Sequence, residues 1–183
     1  MPVNCSHVIL DACCALNFSA SGYFVQILQS LPAQVVVTQV VKDRELLSLR
    51  RLTDELCDDA NQFEAAIDHG LLLVEDFAND REAERFVNYA SVLGDDGESA
   101  TCAIAFHREW AIATDDRQAI SFFQREASHL QILSSLEIIK YWSEVSNIAS
   151  AELRYVLSNI RTRGRYIPHK NHPLQSWWQD LMA

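Results

Sequence analysis

Short apolar runs alternate along this sequence with longer segments of helical periodicity. Each run contains aliphatic and β-branched residues and is short enough to be a buried strand. The five predicted strands are 7–10, 35–37, 71–74, 110–114 and 130–133. A helical segment lies between each successive pair. This pattern predicts an α/β fold with a central parallel sheet, helices on both faces and right-handed crossovers.

The helical segments have recognisable ends. A helix over 12–31 is expected to break near Ser21-Gly22 and to end at Pro32. Ser134 and Glu137 form the S-x-x-E pattern of a capping box and predict another helix start. The remaining predicted helices of the main body are 40–49, 52–67, 80–93, 98–108 and 117–128.

Residues 143–183 follow the last predicted strand and differ from the rest of the chain. We predict a domain over 1–142 and a C-terminal helical extension over 143–183 that packs on the domain or on a partner. Residues 150–183 carry five basic and two acidic side chains, a net charge of +3, whereas residues 1–149 carry −13. The net charge of −10 for 183 residues argues against a protein that coats duplex nucleic acid through a basic surface.

Neither a membrane span nor a secretory signal is expected. The apolar runs are far shorter than the roughly 20 residues that a spanning helix needs, and the N-terminus has no basic segment before an apolar one. The five cysteines are an odd number without a C-x-x-C pair. We therefore expect reduced thiols in a cytoplasmic protein with no membrane partner. Cys13 and Cys14 are interpreted as packing residues and not as nucleophiles.

Acidic residues follow several predicted strands. Parallel strands present their carboxyl ends at one edge of the sheet, where ligands bind in such folds. Carboxylates gathered there repel one another, and Mg²⁺ or Mn²⁺ would neutralise them through hard oxygen ligands. Each acid also has a purely structural interpretation as a helix cap, a turn residue or an exposed side chain. The acidic clusters are Asp11; Asp43 and Glu45; Asp95, Asp96 and Glu98; and Asp115 and Asp116.

Four short sequence motifs around these acids resemble motifs of a known family. They are VILDACCALN at 8–17, ELLSLRR at 45–51, DGESA at 96–100 and ATDDR at 113–117. In this order they resemble PIN-domain nucleases, in particular the VapC-like subgroup of toxin–antitoxin nucleases. The resemblance covers roughly residues 7–142. The sequence departs from the family pattern at Ala12, where many relatives have Ser or Thr. The motifs at 96–100 and 113–117 each contain two acids that could be the ligand.

The resemblance implies a divalent-metal-dependent endoribonuclease that cleaves single-stranded or structured RNA. Its implied partners are RNA, a cognate antitoxin or another protein, and further copies of the chain in a homo-oligomer. The alternative is a catalytically inactive PIN-like interaction or RNA-binding module. The resemblance implies that the catalytic and metal-binding residues are Asp11, Glu45, Asp96, Glu98, Asp115 and Asp116. In each of the pairs Asp96/Glu98 and Asp115/Asp116, one or both acids would act as ligands.

The extension contains a second candidate site. Arg161, Arg163 and Arg165, called here the tail arginines, lie near the aromatic residues Tyr166 and Trp177. Arginines interleaved with aromatic residues are suited to single-stranded RNA, through phosphate contacts and base stacking. The same aromatic residues are equally suited to packing against the body or a second subunit.

Overall fold

The computed structural model of this chain describes residues 3–44 and 57–183, and it contains a five-stranded sheet in which every strand is parallel to its neighbours. The strand order is β3-β2-β1-β4-β5, so β1 is central. The α/β class predicted from the sequence is confirmed. The strands are β1 (His7–Leu10), β2 (Gln34–Thr38), β3 (Leu72–Glu75), β4 (Ala111–Ala113) and β5 (Ile132–Leu133).

Helices connect the strands and form the C-terminal part of the chain. The predicted break after the first helix is confirmed, because Gly22 adopts the left-handed conformation (φ 79°) that ends it. Residues 39–44 are also helical. The other helices are α1 (Ala12–Ser21), α2 (Phe24–Ser30), α3 (Cys57–Asp68), α4 (Asp80–Leu93), α5 (Asp96–Arg108), α6 (Arg117–Glu126), α7 (Ser135–Val145), α8 (Ser150–Thr162) and α9 (Gln175–Met182).

Alternate strand residues enter two separate cores, one on each face of the sheet. On β1, Val8 and Leu10 are buried against helices α1, α2, α3 and α7, whereas Ile9 is buried against α4, α5 and α6. This is the period-two alternation of a strand whose two faces are both covered. The predicted helices on both faces are therefore present.

The C-terminal extension contributes to the first of these cores. Leu153, Val156, Leu157 and Ile160 of α8 are buried there, and Trp178 of α9 is 4% exposed. Burial of each large apolar side chain contributes about 1.5–3 kcal/mol, so the extension is held by a substantial apolar contact. Packing on the body therefore accounts for these apolar residues.

Helix α5 begins two residues earlier than the sequence pattern suggested. Asp95 is the N-cap, and its side chain accepts a hydrogen bond of 2.9 Å from the Glu98 N–H. Asp96 and Gly97, which precede the helix predicted over 98–108, therefore belong to the first turn of the helix. The capping box of Ser134 and Glu137 is present at the start of α7, as predicted.

None of the helices in the described part of the chain combines the length and the apolarity that crossing a bilayer needs.

Candidate metal centre

Asp11 lies at the carboxyl end of the central strand and is 3% exposed. Its Oδ1 accepts a hydrogen bond of 2.8 Å from the Ala12 N–H, so Asp11 caps α1. Its Oδ2 accepts from the Thr114 hydroxyl at 2.9 Å and from the Cys13 thiol at 3.2 Å. Burial raises the pKa of Asp11, and these hydrogen bonds offset only part of that rise. Asp11 can therefore cap α1 and also belong to an acidic site.

The first turn of α5 brings two further carboxylates beside Asp11. Asp95 and Glu98 line the same cavity as Asp11. Burial, followed by the negative charges of Asp116, Asp11 and Asp95, raises the pKa of Glu98 from 4.5 to about 7. Charges that act on one group in this way lie close together. The four carboxylates Asp11, Asp95, Glu98 and Asp116 are called here the oxygen cluster.

The cavity beside the oxygen cluster has a volume of about 250 Å³. Cys13, Leu16 and Val41 provide less polar parts of its wall, and Arg44 provides a basic part. Arg44 also forms an ion pair with Asp96. The volume can accommodate a hydrated cation or the phosphate group of a larger ligand.

Asp96 is not among the residues that line this cavity. Its side chain is 43% exposed and pairs with Arg44. Asp95, which belongs to the acidic clusters but was not among the implied ligands, lines the cavity together with Asp11 and Glu98. Asp95 is the N-cap of α5 and Asp96 is the first residue of the helix, so the two side chains leave the helix axis in different directions.

Asp115 and Asp116 have different surroundings although they are adjacent. Asp116 caps α6 by accepting from the N–H groups of Gln118 and Ala119 at 2.7 and 2.8 Å, and its charge acts on Glu98. Asp115 instead accepts from Asn17 Nδ2 at 3.0 Å and from the Ser135 N–H at 3.1 Å. Burial raises the pKa of Asp115, and the hydrogen bonds from Ser135 and Asn17 offset part of the rise. Asp116 therefore belongs to the oxygen cluster, and Asp115 lies between α1 and α7.

The acidic cluster of Asp43 and Glu45 is described only in part, and the motif at 45–51 lies wholly outside the described residues. Glu45 lies outside the described residues. Asp43 is exposed and accepts a hydrogen bond of 2.7 Å from Gln39 Nε2. Asp43 therefore has a local partner on its own helix.

A second group of potential ligands lies next to the oxygen cluster. One ligand atom from each of Cys13, Cys14 and Asp115 lies within 4.8 Å of the other two, and this group could hold a metal ion. Cys13 is half-buried and Cys14 is fully buried. From the sequence alone, both cysteines are interpreted as packing residues. The sequence signal that points to a ligand role is their position in the first turn of α1, directly after Asp11 at the end of β1.

The tail arginines are exposed and lie at and beyond the end of α8. Arg163 donates a hydrogen bond of 3.1 Å to the Ala20 carbonyl of α1. A Cβ on the neighbouring Gly164 would lie 2.8 Å from Asn17 Oδ1 and 2.7 Å from the Ile160 carbonyl oxygen. The chain after α8 therefore approaches α1 at the residue that binds Asp115, and glycine is required for this close contact.

Residues further along the extension reach the same region. Burial, followed by the charge of Asp115, raises the pKa of Tyr166. His172 Nε2 lies 2.9 Å from the Ser134 hydroxyl. The extension therefore borders Asp115, although none of its residues was predicted to be near an acid.

Comparison with known proteins gives no assignment, because no protein-family model and no curated protein matches the chain.

The oxygen cluster has the donor chemistry of a hard-cation site. Its four side chains offer only carboxylate oxygens, which Mg²⁺ and Mn²⁺ prefer. Burial and the charges of neighbouring carboxylates raise the pKa values of Asp11 and Glu98. A nearby cation would favour the ionised forms of both groups.

Proposed function

We propose that this protein is a PIN-like endoribonuclease that hydrolyses RNA phosphodiester bonds with the aid of Mg²⁺ or Mn²⁺. The observation that carries the proposal is that Asp11, Asp95 and Glu98 line one cavity, and the charge of Asp116 also acts on Glu98. These residues come from three separate parts of the sequence. Asp11 and Asp116 follow β1 and β4 at their carboxyl ends, the usual place for a ligand in an open parallel sheet.

The four carboxylates would hold the cation, which supplies a bound water of lowered pKa and offsets charge on the scissile phosphate. Asp11 is held for this role by hydrogen bonds from Ala12 and Thr114. Asp95 and Asp116 are held by the backbone N–H groups that they cap. Three of the four side chains are therefore fixed before any cation arrives, which reduces the entropic cost of binding.

Glu98 supplies the adjustable charge of the site. With a pKa of about 7, it is protonated in a substantial fraction of molecules near neutral pH. Cation binding favours its ionised form and releases the proton. Metal affinity is therefore expected to rise with pH through this range.

The substrate class and the partners follow from the resemblance to PIN-domain nucleases. The sequence motifs around Asp11, Asp96–Ala100 and Asp115–Asp116 favour RNA as the substrate. They also favour a biological role as the toxin of a toxin–antitoxin pair. A cognate antitoxin, a second copy of the chain and a cytoplasmic location belong to the same proposal. The net charge of −10 makes a basic antitoxin segment an electrostatically favourable partner.

The test compares Asp116→Asn with Asp96→Asn. Asn caps helices about as well as Asp, so the first substitution removes a charge from the oxygen cluster while retaining the cap of α6. The second removes an exposed charge one position away from the cluster. We expect wild-type protein and Asp96→Asn to cleave single-stranded RNA in Mn²⁺, and Asp116→Asn to be at least 100-fold slower with unchanged circular dichroism.

Metal binding is measured separately from cleavage. Mn²⁺ that binds only the folded state raises the melting temperature by mass action, and Asp116→Asn should reduce this rise. Wild-type protein that shows neither Mn²⁺-dependent stabilisation nor cleavage would contradict the proposal and favour the inactive interaction module. Equal loss of activity in both variants would contradict the exclusion of Asp96 from the oxygen cluster.

A further inference from the structure

We propose that Cys13, Cys14 and Asp115 form a second metal site, which takes a thiophilic divalent cation such as Zn²⁺ or Cd²⁺. This site is distinct from the oxygen cluster in both its ligands and its chemistry. The inference rests on the geometry of these three residues and does not depend on the proposed nuclease activity.

The spacing of the ligand atoms fits a tetrahedral ion. Zn–S bonds of about 2.3 Å and Zn–O bonds of about 2.1 Å place a sulfur and an oxygen ligand roughly 3.6 Å apart. Cys14 Sγ lies 3.8 Å from Asp115 Oδ2, and all three ligand atoms lie within 4.8 Å of one another. Small side-chain rotations are therefore enough to bring the three atoms onto one ion.

Hydrogen-bond donors are already directed at each of the three ligands. Cys13 Sγ accepts from the Asp115 N–H at 3.2 Å, and Cys14 Sγ accepts from the Ser135 hydroxyl at 3.1 Å. Asp115 accepts from Asn17 at 3.0 Å and from the Ser135 N–H at 3.1 Å. Such donors orient metal ligands, and the hydrogen bond from Ser135 offsets a small part of the rise that burial causes in the pKa of Cys14.

The identity of the donors selects the class of cation. Two sulfurs favour Zn²⁺ and Cd²⁺, whereas Mg²⁺ binds oxygen ligands. Binding breaks the two S–H bonds and releases both thiol protons to solvent, with no change in oxidation state. Two thiolates, one carboxylate and a divalent cation leave a net charge of −1 at the site. This is much less negative than the three bare anions would be.

The cavity beside the oxygen cluster provides the path of entry. Cys13 is half-buried and lines that cavity, whereas Cys14 is buried and lies next to Cys13 in the chain. Cys13 Sγ is also only 3.2 Å from Asp11 Oδ2. The two sites therefore share a wall, and an ion on the sulfur side would alter the hydrogen bonding of Asp11.

The experiment is a Cd²⁺ titration of reduced, metal-free protein, followed by the ultraviolet sulfur-to-cadmium charge-transfer band. We expect the wild type to bind one Cd²⁺ through Cys13 and Cys14 and to show the band. Cys13→Ser should weaken the dissociation constant at least tenfold and reduce the band. The matched control is Cys102→Ser, because Cys102 is buried in the core on the other face of the sheet. It should bind Cd²⁺ as the wild type does.

Three results would overturn the proposal: no band in the wild type, a band of wild-type affinity in Cys13→Ser, or equal loss in Cys102→Ser. Displacement of Cd²⁺ by a hundredfold excess of Mg²⁺ would also overturn it, because that result places the ion among oxygens. Asp115→Asn provides a second test with both thiols retained, and its affinity should fall at least tenfold. Circular dichroism checks that each variant is folded. Failure of the nuclease would leave these spectra unaffected.

Discussion

Glu98→Gln should stabilise the metal-free protein above pH 7. Burial and the charges of Asp116, Asp11 and Asp95 raise the pKa of Glu98 from 4.5 to about 7. The folded state therefore binds this proton more tightly than the unfolded chain does. As the pH rises from about 4.5 to about 7, the wild type loses stability, because the folded protein must ionise Glu98 at an unfavourable position. Gln carries no charge and does not lose this stability.

The size of the effect follows from the two pKa values. The difference between 4.5 and about 7 corresponds to about 3.4 kcal/mol at 1.36 kcal/mol per pH unit. Glu98 is only half-buried, so solvent screening reduces the expected stabilisation to about 1–2 kcal/mol. In a chain of this length, that free energy raises the melting temperature by about 2–8 °C. Below pH 4.5 the difference should almost vanish.

The assay is thermal unfolding in a chelating buffer across this pH range, repeated with Mn²⁺. With Mn²⁺ the order of stability should reverse, because the wild type gains more from the cation than Glu98→Gln does. Glu84→Gln is the control, since Glu84 is an exposed carboxylate on α4. Parallel curves of melting temperature against pH for the wild type and Glu98→Gln would refute the reasoning, as would an equal benefit from Mn²⁺.

Three further variants test other parts of the structure. Gly164→Ala places a Cβ 2.7 Å from a carbonyl oxygen and 2.8 Å from Asn17 Oδ1, so urea unfolding should show a loss of about 1–3 kcal/mol. Arg108→Ala leaves the Glu82 side chain, which is 2% exposed, without its ion pair, and the expected loss is about 2–4 kcal/mol at neutral pH. Alanine at all three tail arginines should weaken binding to single-stranded RNA and reduce the salt slope by about 0.7 for each phosphate that these side chains neutralise. An unchanged salt slope would indicate that the tail arginines have only a packing role.

The main architecture could be predicted from the sequence because hydrophobic periodicity determines it. The helix over 80–93 was predicted with the bounds that the structure shows, since Asn79 caps its start and Gly94 ends it. The capping box at Ser134 was also recognisable, because it needs only residues that are close in sequence. Local signals of this kind do not depend on tertiary contacts.

The details of the site needed three-dimensional information. The choice between Asp95 and Asp96 depends on where α5 begins, and adjacent helical residues differ by about 100° in direction. The separation of Asp115 from Asp116 depends on contacts with Asn17 and Ser135, which are 98 and 20 residues away in sequence. The sequence pattern placed acids at one edge of the sheet but could not show which neighbour each one faces.

The contact at Gly164 also has a consequence for comparing this chain with its relatives. Any larger residue there meets Asn17, which binds Asp115. A homologue that retains both Gly164 and Asn17 should dock its C-terminal segment against α1 in the same way. A homologue in which this glycine is replaced should hold that segment elsewhere. This single position can therefore divide related sequences into two structural groups before any of their structures is determined.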